Sequence, residues 1–273
     1  MSLIVKNTRA LIDPDKLKLK ILVYALPGVG KTTFAATAPN PGFAVCETGE
    51  GSGLLSVAAQ GLDYVEPSSY QDFQAVCSGQ VFKDKETIVL DSLSDMANTF
   101  IKDYALAMPR NAGNSPKRAA GIPELDDYGV MGEVTRRLIR KLLDVDKHII
   151  VTATERYQTA DPEKGIYDTT IGPALPGMMF LGAPAMFDFV LRMRTRSKLR
   201  DKNDAKSRYS ERYFITENDG RGTIGKCRSV YSNKPLLDPE EIFSPVTGEG
   251  SFDYLIKKII AGYKAEGSVK ETK

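Results

Sequence analysis

A chain of 273 residues, 42% of them hydrophobic, can bury a large core and suits one α/β domain with extensions. The formal net charge of +2 excludes a chain basic throughout, so any surface for a polyanion must be local. Cys46, Cys77 and Cys227 are scattered without C-x-x-C spacing, and the single His148 has no ligand partner nearby in sequence, which predicts reduced thiols and no zinc-type site. The opening residues lack the apolar core of a signal peptide, and no stretch approaches the roughly 20 apolar residues of a membrane helix. The expectation is a soluble, cytoplasmic protein.

In chain order, residues 21–25 form an apolar β-branched strand that runs into Gly28, Gly30, Lys31, Thr32 and Thr33, followed by a helix that stops near Pro39-Asn40-Pro41. Residues 42–46 form a second strand with an acidic turn after it, residues 71–79 a helix, and residues 86–91 a third strand ending in Asp91. Helical spacing covers 92–106. Residues 108–129 hold Pro, Gly and basic residues with little periodicity and are expected to be a long loop. A helix over 130–143 and a fourth strand over 148–154 follow, and residues 155–182 read as a second Gly/Pro-rich loop. Strands near 187–194, 213–216 and 225–231 extend the sheet in antiparallel fashion, and residues 252–263 form a last helix. The expected division is an N-terminal extension over 1–17, a core over 18–232, a helical extension over 233–263 and an unstructured tail over 264–273. Alternating strands and helices predict an α/β fold with a mostly parallel sheet flanked by helices.

The strand, glycine loop and helix around residue 28 form a phosphate-binding loop. Backbone N–H groups near Gly28 and Gly30 can turn toward a β-phosphate where side chains would obstruct it. Lys31 is placed to reach β- and γ-phosphate oxygens, and the Thr32 hydroxyl to ligate Mg²⁺. Pro27, Gly28, Val29, Gly30, Lys31, Thr32 and Thr33 are thus the expected nucleotide-binding residues; the consensus is met except at its first position, which is Ala25. Asp91, ending an apolar strand, is the candidate for the Mg²⁺ shell, because a hard cation takes oxygen ligands; its alternative is a strand terminus or helix cap. Glu47 is favoured over Glu50 as the group that orients an attacking water, either being otherwise a solvated loop acid. Thr154 ends the fourth strand where a polar side chain could sense a γ-phosphate or serve the structure alone.

In this order the elements resemble the RecA-like P-loop ATPases, and more narrowly the phage-encoded ATP-binding proteins of recombination and single-strand annealing. The resemblance rests on residues 27–33, the acidic turn after Cys46, Ile88-Val89-Leu90-Asp91-Ser92, Val151-Thr152-Ala153, Leu175-Pro176-Gly177 with Phe187-Asp188, and Lys226-x-Arg228. It implies a RecA-like P-loop NTPase fold, ATP and Mg²⁺ as ligands, and Glu47, Lys31 and Asp91 as the catalytic set. It further implies a homo-oligomer, ring or filament, in which Lys226 and Arg228 act in trans on a neighbour's γ-phosphate, unless they are simply solvated. DNA-contacting loops would follow the third and fourth strands, and a bacterial host's cytoplasm would be the location. Relatives carry Gln or His where this chain has Thr154.

For DNA, expected to be single-stranded, the candidates are Arg110, Lys117 and Arg118 in the first long loop and Arg156 with Tyr157 in the second. Residues 192–212 add nine cations against three acids, a local excess of +6 that reads as a phosphate-binding run or as a solvated hairpin. A single-strand annealing or single-strand binding protein is a candidate partner. The rival readings are a small-molecule kinase, with residues 108–129 as its lid, and a nucleotide-gated loader or adaptor with weak hydrolysis.

Overall fold

The computed structural model describes residues 13, 17–47, 52–108, 121–164, 168–201, 204–228 and 235–270. Among them nine strands form the sheet: β1 (Lys20–Ala25), β2 (Pro41–Val45), β3 (Asp63–Val65), β4 (Thr87–Asp91), β5 (His148–Gln158), β6 (Thr170–Pro173), β7 (Phe189–Leu199), β8 (Arg208–Ile215) and β9 (Glu240–Phe243). The order across it is β3-β2-β4-β5-β1-β7-β8-β9, with β6 added to the far end of β5. Every pairing from β3 to β7 is parallel; β8, β9 and β6 are antiparallel additions. The expected α/β architecture, with antiparallel strands late in the chain, is therefore present. Its central strands are continuous apolar runs because both faces are covered.

One face packs α2 (Tyr70–Cys77), α5 (Leu125–Leu143), α6 (Met179–Met186) and the helical stretch α3 (Leu93–Asp95), a π-helical segment Met96–Ile101 and α4 (Lys102–Ala107). The other packs α1 (Lys31–Ala35) and α7 (Phe252–Lys270). Phe34 of α1 meets Phe214 of β8 and Phe243 of β9 edge-on, with ring centroids 4.9 Å and 5.7 Å apart. Residues beyond 232 are thus part of the core: β9 joins the main sheet, and Leu236, Leu237, Phe252, Leu255 and Ile259 share the cluster that holds Phe34. The last helix runs to Lys270, past residue 263.

Two expectations in the second half and one in the first are corrected. Residues 155–182 are not one loop: β5 continues to Gln158 and pairs with β6, and α6 begins at Met179. The extension is stabilised where Glu155 and Arg192 bury their charges against each other. The strand expected over 225–231 is reduced, among the described residues, to a bridge between Val190 and Lys226. Helix α1 has five residues, ended by the run to Pro39 and Pro41. No helix among the described residues is long and apolar enough to cross a membrane.

Candidate functional site

The parallel register brings the site together. Ala25 pairs with Thr154, Val45 with Asp91, and Leu90 with Val151, so the carboxyl ends of β1, β5, β4 and β2 lie at one level. Ligands of open α/β sheets bind beyond these ends. A pocket of about 480 Å³ opens there, lined among others by Pro27, Gly28, Gly30, Lys31, Thr32, Thr33, Glu47, Asp91 and Thr154. Val29 turns inward instead and packs against the apolar cluster beneath α1, anchoring the loop.

Gly28 and Gly30 have φ of 75° and 116°, values that other residues adopt only with strain, so the loop's path requires glycine at both. At Gly30 a Cβ would also lie 3.1 Å from Arg212 Nε. Lys31 Nζ donates to the carbonyls of Ala25 and Leu26 at 3.3 Å, holding the cation over the loop. Burial lowers the Lys31 pKa, opposed by Asp91 and Glu47.

The Thr32 hydroxyl donates to Asp91 Oδ2 at 2.7 Å, and the Thr152 hydroxyl donates to Asp91 Oδ1 at 2.5 Å. This places a hydroxyl and a carboxylate, both hard oxygen donors, side by side at the phosphate loop. The donor set fits Mg²⁺, which takes one or two protein ligands and fills its octahedron with water and phosphate oxygens. It does not fit a metal that needs an all-protein cage, and the described residues hold no group of three His, Cys, Asp or Glu able to form one. Glu47 stands at the pocket's mouth beyond β2, its Oε2 2.9 Å from where a Cβ on Gly53 would lie. Partial burial raises the Glu47 pKa, with Asp91 and Asp95 adding to the rise and Lys31 opposing it. Thr154 is fixed by its backbone: its N–H donates to Ser94 Oγ at 3.0 Å and its carbonyl accepts from Ala174 N–H at 2.7 Å. Thr154 lines the pocket.

The other predicted residues lie apart. Lys226 Nζ donates to the carbonyls of Ala185 and Phe187 at 3.0 Å and 2.6 Å, closing the end of α6. Arg228 pairs with Asp188 at 2.5 Å. Asp188 in turn bonds to Lys20 at the start of β1, so this pair sits at the end of the sheet away from the phosphate loop. Arg156 and Tyr157 are on β5, opposite Gly172 and Ile171 of β6; Tyr157 is half exposed and its hydroxyl lies 3.4 Å from Arg192 Nη2. Arg110, Lys117, Arg118 and Glu50 fall outside the described residues. Within the basic run, Arg192 is 2% exposed and bound to Glu155, while Arg196 and Lys198 share Glu211. Arg192 is thereby withdrawn from any polyanion surface.

Sequence reasoning missed Gly53, Leu55, Ser56 and Arg212 of the pocket lining. Gly53, Leu55 and Ser56 come from a 3₁₀ segment, Ser52–Gln60, whose glycine-rich start was the only signal. Arg212 comes from β8, and nothing in the charge run distinguished it.

A glycine-cradled lysine beside a threonine–aspartate pair at the end of a parallel sheet defines the P-loop nucleotide-binding class. A family model described as an AAA domain matches residues 17–229, and the chain belongs to that family of P-loop ATPase domains. Among solved structures, a KaiC-like protein from the hyperthermophilic archaeon Pyrococcus horikoshii is similar at 15% identity, over 83% of this chain and 85% of that one, with a TM-score of 0.45. No curated protein matches the chain.

Proposed function

We propose that this protein is a Mg²⁺-dependent ATPase that works as a homo-oligomer on single-stranded DNA, in recombination or strand annealing of the phage type. The observation that carries the ATPase reading is the convergence of Lys31, Thr32, Asp91 and Glu47 on one pocket. Lys31 binds β- and γ-phosphate oxygens, and the loop amides around Gly28 and Gly30 cradle the β-phosphate. Glu47 orients a water for in-line attack on the γ-phosphorus and accepts its proton; the ADP oxygen leaves with the bond's electrons. Thr32 and Asp91 would hold Mg²⁺, which when bound neutralises charge on the phosphate oxygens.

The DNA reading is supported by the hairpin of β7 and β8, whose residues 193–199 continue past the last β1 pairing at Tyr24, a projection of roughly 20 Å. Arg194 and Arg196 of β7 face Tyr213 and Glu211 of β8, and Lys198 faces Tyr209, interleaving cations and aromatic rings as single-strand platforms do. The assembly part rests on the resemblance alone, since Lys226 and Arg228 are engaged by Ala185, Phe187 and Asp188 of their own chain.

The test measures ATP turnover with and without single-stranded DNA, together with mass by light scattering with and without ATP. Stimulation by DNA and ATP-dependent assembly are expected. A monomer that hydrolyses ATP at a rate indifferent to DNA overturns the oligomer and DNA parts. Tight nucleotide binding without turnover favours the nucleotide-gated adaptor, a reading supported by Thr154 standing where hydrolysing relatives carry Gln or His.

A further inference from the structure

Arg212 is the residue of the pocket that the phosphate-loop chemistry above leaves unused. It is half-buried on β8, lines the same pocket as Lys31, and lays its guanidinium against Gly30, with Nε 3.1 Å and Cζ 3.4 Å from a Cβ position there. Its cross-strand neighbours on that face are Thr195 of β7 and Phe243 of β9, neither of them acidic. Of the hairpin's cations, Arg192 is matched by Glu155, and Arg196 and Lys198 by Glu211, so these acids are already engaged. Arg212 makes no ion pair with any described residue. A partly desolvated guanidinium without a counter-charge is costly, and a planar donor fork suits a phosphate.

The strand order tells which end of a nucleotide it meets. Asp91 and Glu47, on β4 and after β2, lie to one side of β1, whereas Arg212 on β8 lies to the other. The γ-phosphate, its metal and the attacking water belong on the acidic side. The α-phosphate and nucleoside must then leave the loop toward β8.

We propose that Arg212 is a second phosphate-binding cation of this pocket, contributed by the same chain, and that it grips the α-phosphate side of a bound nucleoside di- or triphosphate. It rests on the reading of residues 27–33 as a phosphate loop. The hairpin that projects beside the pocket thereby closes on the ligand from the nucleoside side.

The test is equilibrium binding of ADP and of ATP with Mg²⁺ to the full chain, for wild type, Arg212→Met, Arg212→Lys and Lys31→Ala, with melting measured without nucleotide. Loss of a charge-assisted bond should weaken ADP and ATP alike in Arg212→Met, by about 10- to 100-fold. Steady-state kinetics should show KM for ATP rising by more than kcat falls, a split that a general loosening of the fold would not produce. Arg212→Lys keeps the stem and charge and should lose less; it carries the same comparison if the Met variant melts early. Unchanged affinity in both Arg212 variants overturns the proposal, as does a loss confined to ATP, which would put Arg212 on the γ-phosphate. A wild type that binds neither nucleotide, or Lys31→Ala binding as wild type does, instead overturns the phosphate-loop reading itself.

Discussion

Replacing Glu155 with Gln should destabilise the protein far more than its place in a supposed loop would suggest. Arg192 Nε and Nη2 bind the two Glu155 oxygens at 2.8 Å and 2.9 Å, and the two side chains are only 3% and 2% exposed. Arg192 Nη1 also donates to Thr223 Oγ1 at 2.8 Å, and that hydroxyl donates to Asp219 Oδ2 at 2.8 Å. Removing the Glu155 charge leaves a guanidinium buried without its counter-ion, a change that costs about 3–5 kcal/mol. At roughly 2–4 °C per kcal/mol for a chain somewhat smaller than this one, melting should fall by about 10 °C. The double variant Glu155→Leu with Arg192→Met removes both charges together and should cost much less than the sum of its single changes. Urea unfolding of the wild type, the two single variants and the double variant gives the coupling energy directly. Single variants within about 1 kcal/mol of wild type, or additive costs, would falsify the buried pair. The same variants bear on the basic run. A phosphate-contacting cation lowers the salt slope of DNA binding by about 1 when removed, and Arg192→Met should leave that slope unchanged.

Lys31→Ala should lower ATP turnover by about 100-fold or more while leaving unfolding nearly unaltered, since the lysine bonds only to loop carbonyls. Glu47→Gln should retain ADP affinity but lose about 100-fold in single-turnover hydrolysis. Because the Glu47 pKa is raised, by burial first and then by Asp91 and Asp95, wild-type turnover should decline on acidification at a higher pH than an ordinary carboxylate would give. Protonated Glu47 cannot accept the water's proton. His148 accepts the Leu19 N–H at 3.1 Å on Nδ1, and burial, aided by Lys18 and Lys20, lowers its pKa from 6.5 to about 4. The unfolded chain therefore takes up this proton at higher pH than the folded one. The stability from the neutral ring is complete above pH 6.5 and is lost as pH falls toward 4, by at most about 3 kcal/mol, measured as urea midpoints across that range. Phe34→Ala should cost about 3–5 kcal/mol by the same assay, since its ring fills the space between Phe214 and Phe243.

The parts of the site on the parallel core were readable because local pattern and fold agree there. Residues 20–25, 87–91 and 148–154 are largely apolar and β-branched over the length of a buried strand; β1 and β4 end with those runs, whereas β5 continues to Gln158. Asp91 and Thr154 then meet through register, and the loop after β1 brings Lys31 and Thr32 to them. What was hidden depends on partners distant in sequence. Glu155, Arg156 and Tyr157 have no apolar period, and become a strand because β6 supplies hydrogen bonds and Arg192 a counter-charge. Strand β9 is four residues long and carries Glu240 and Glu241, bound by Arg196 and Lys258 of other elements. The basic run gave a single sum where the hairpin makes several distinctions: a strand's side chains alternate, so Arg194 and Arg196 share one face while Arg212, opposite Thr195, is on the other.

Helix α1 sharpens the role of these discrete charges. A helix offers an anion its summed dipole and several free N–H groups at its amino end, an advantage that builds with aligned peptides. Five residues supply little more than one turn, and the chain then bends toward Pro39. Less of the phosphate charge can be met by the helix, and more must be met by the loop amides, by Lys31 and by a further cation. The short α1 is held in place by Phe34 against β8 and β9, the hairpin and edge that also position Arg212. The antiparallel strands therefore do two things for the loop: they bury the side chain that fixes its helix, and they carry the arginine that lies across Gly30.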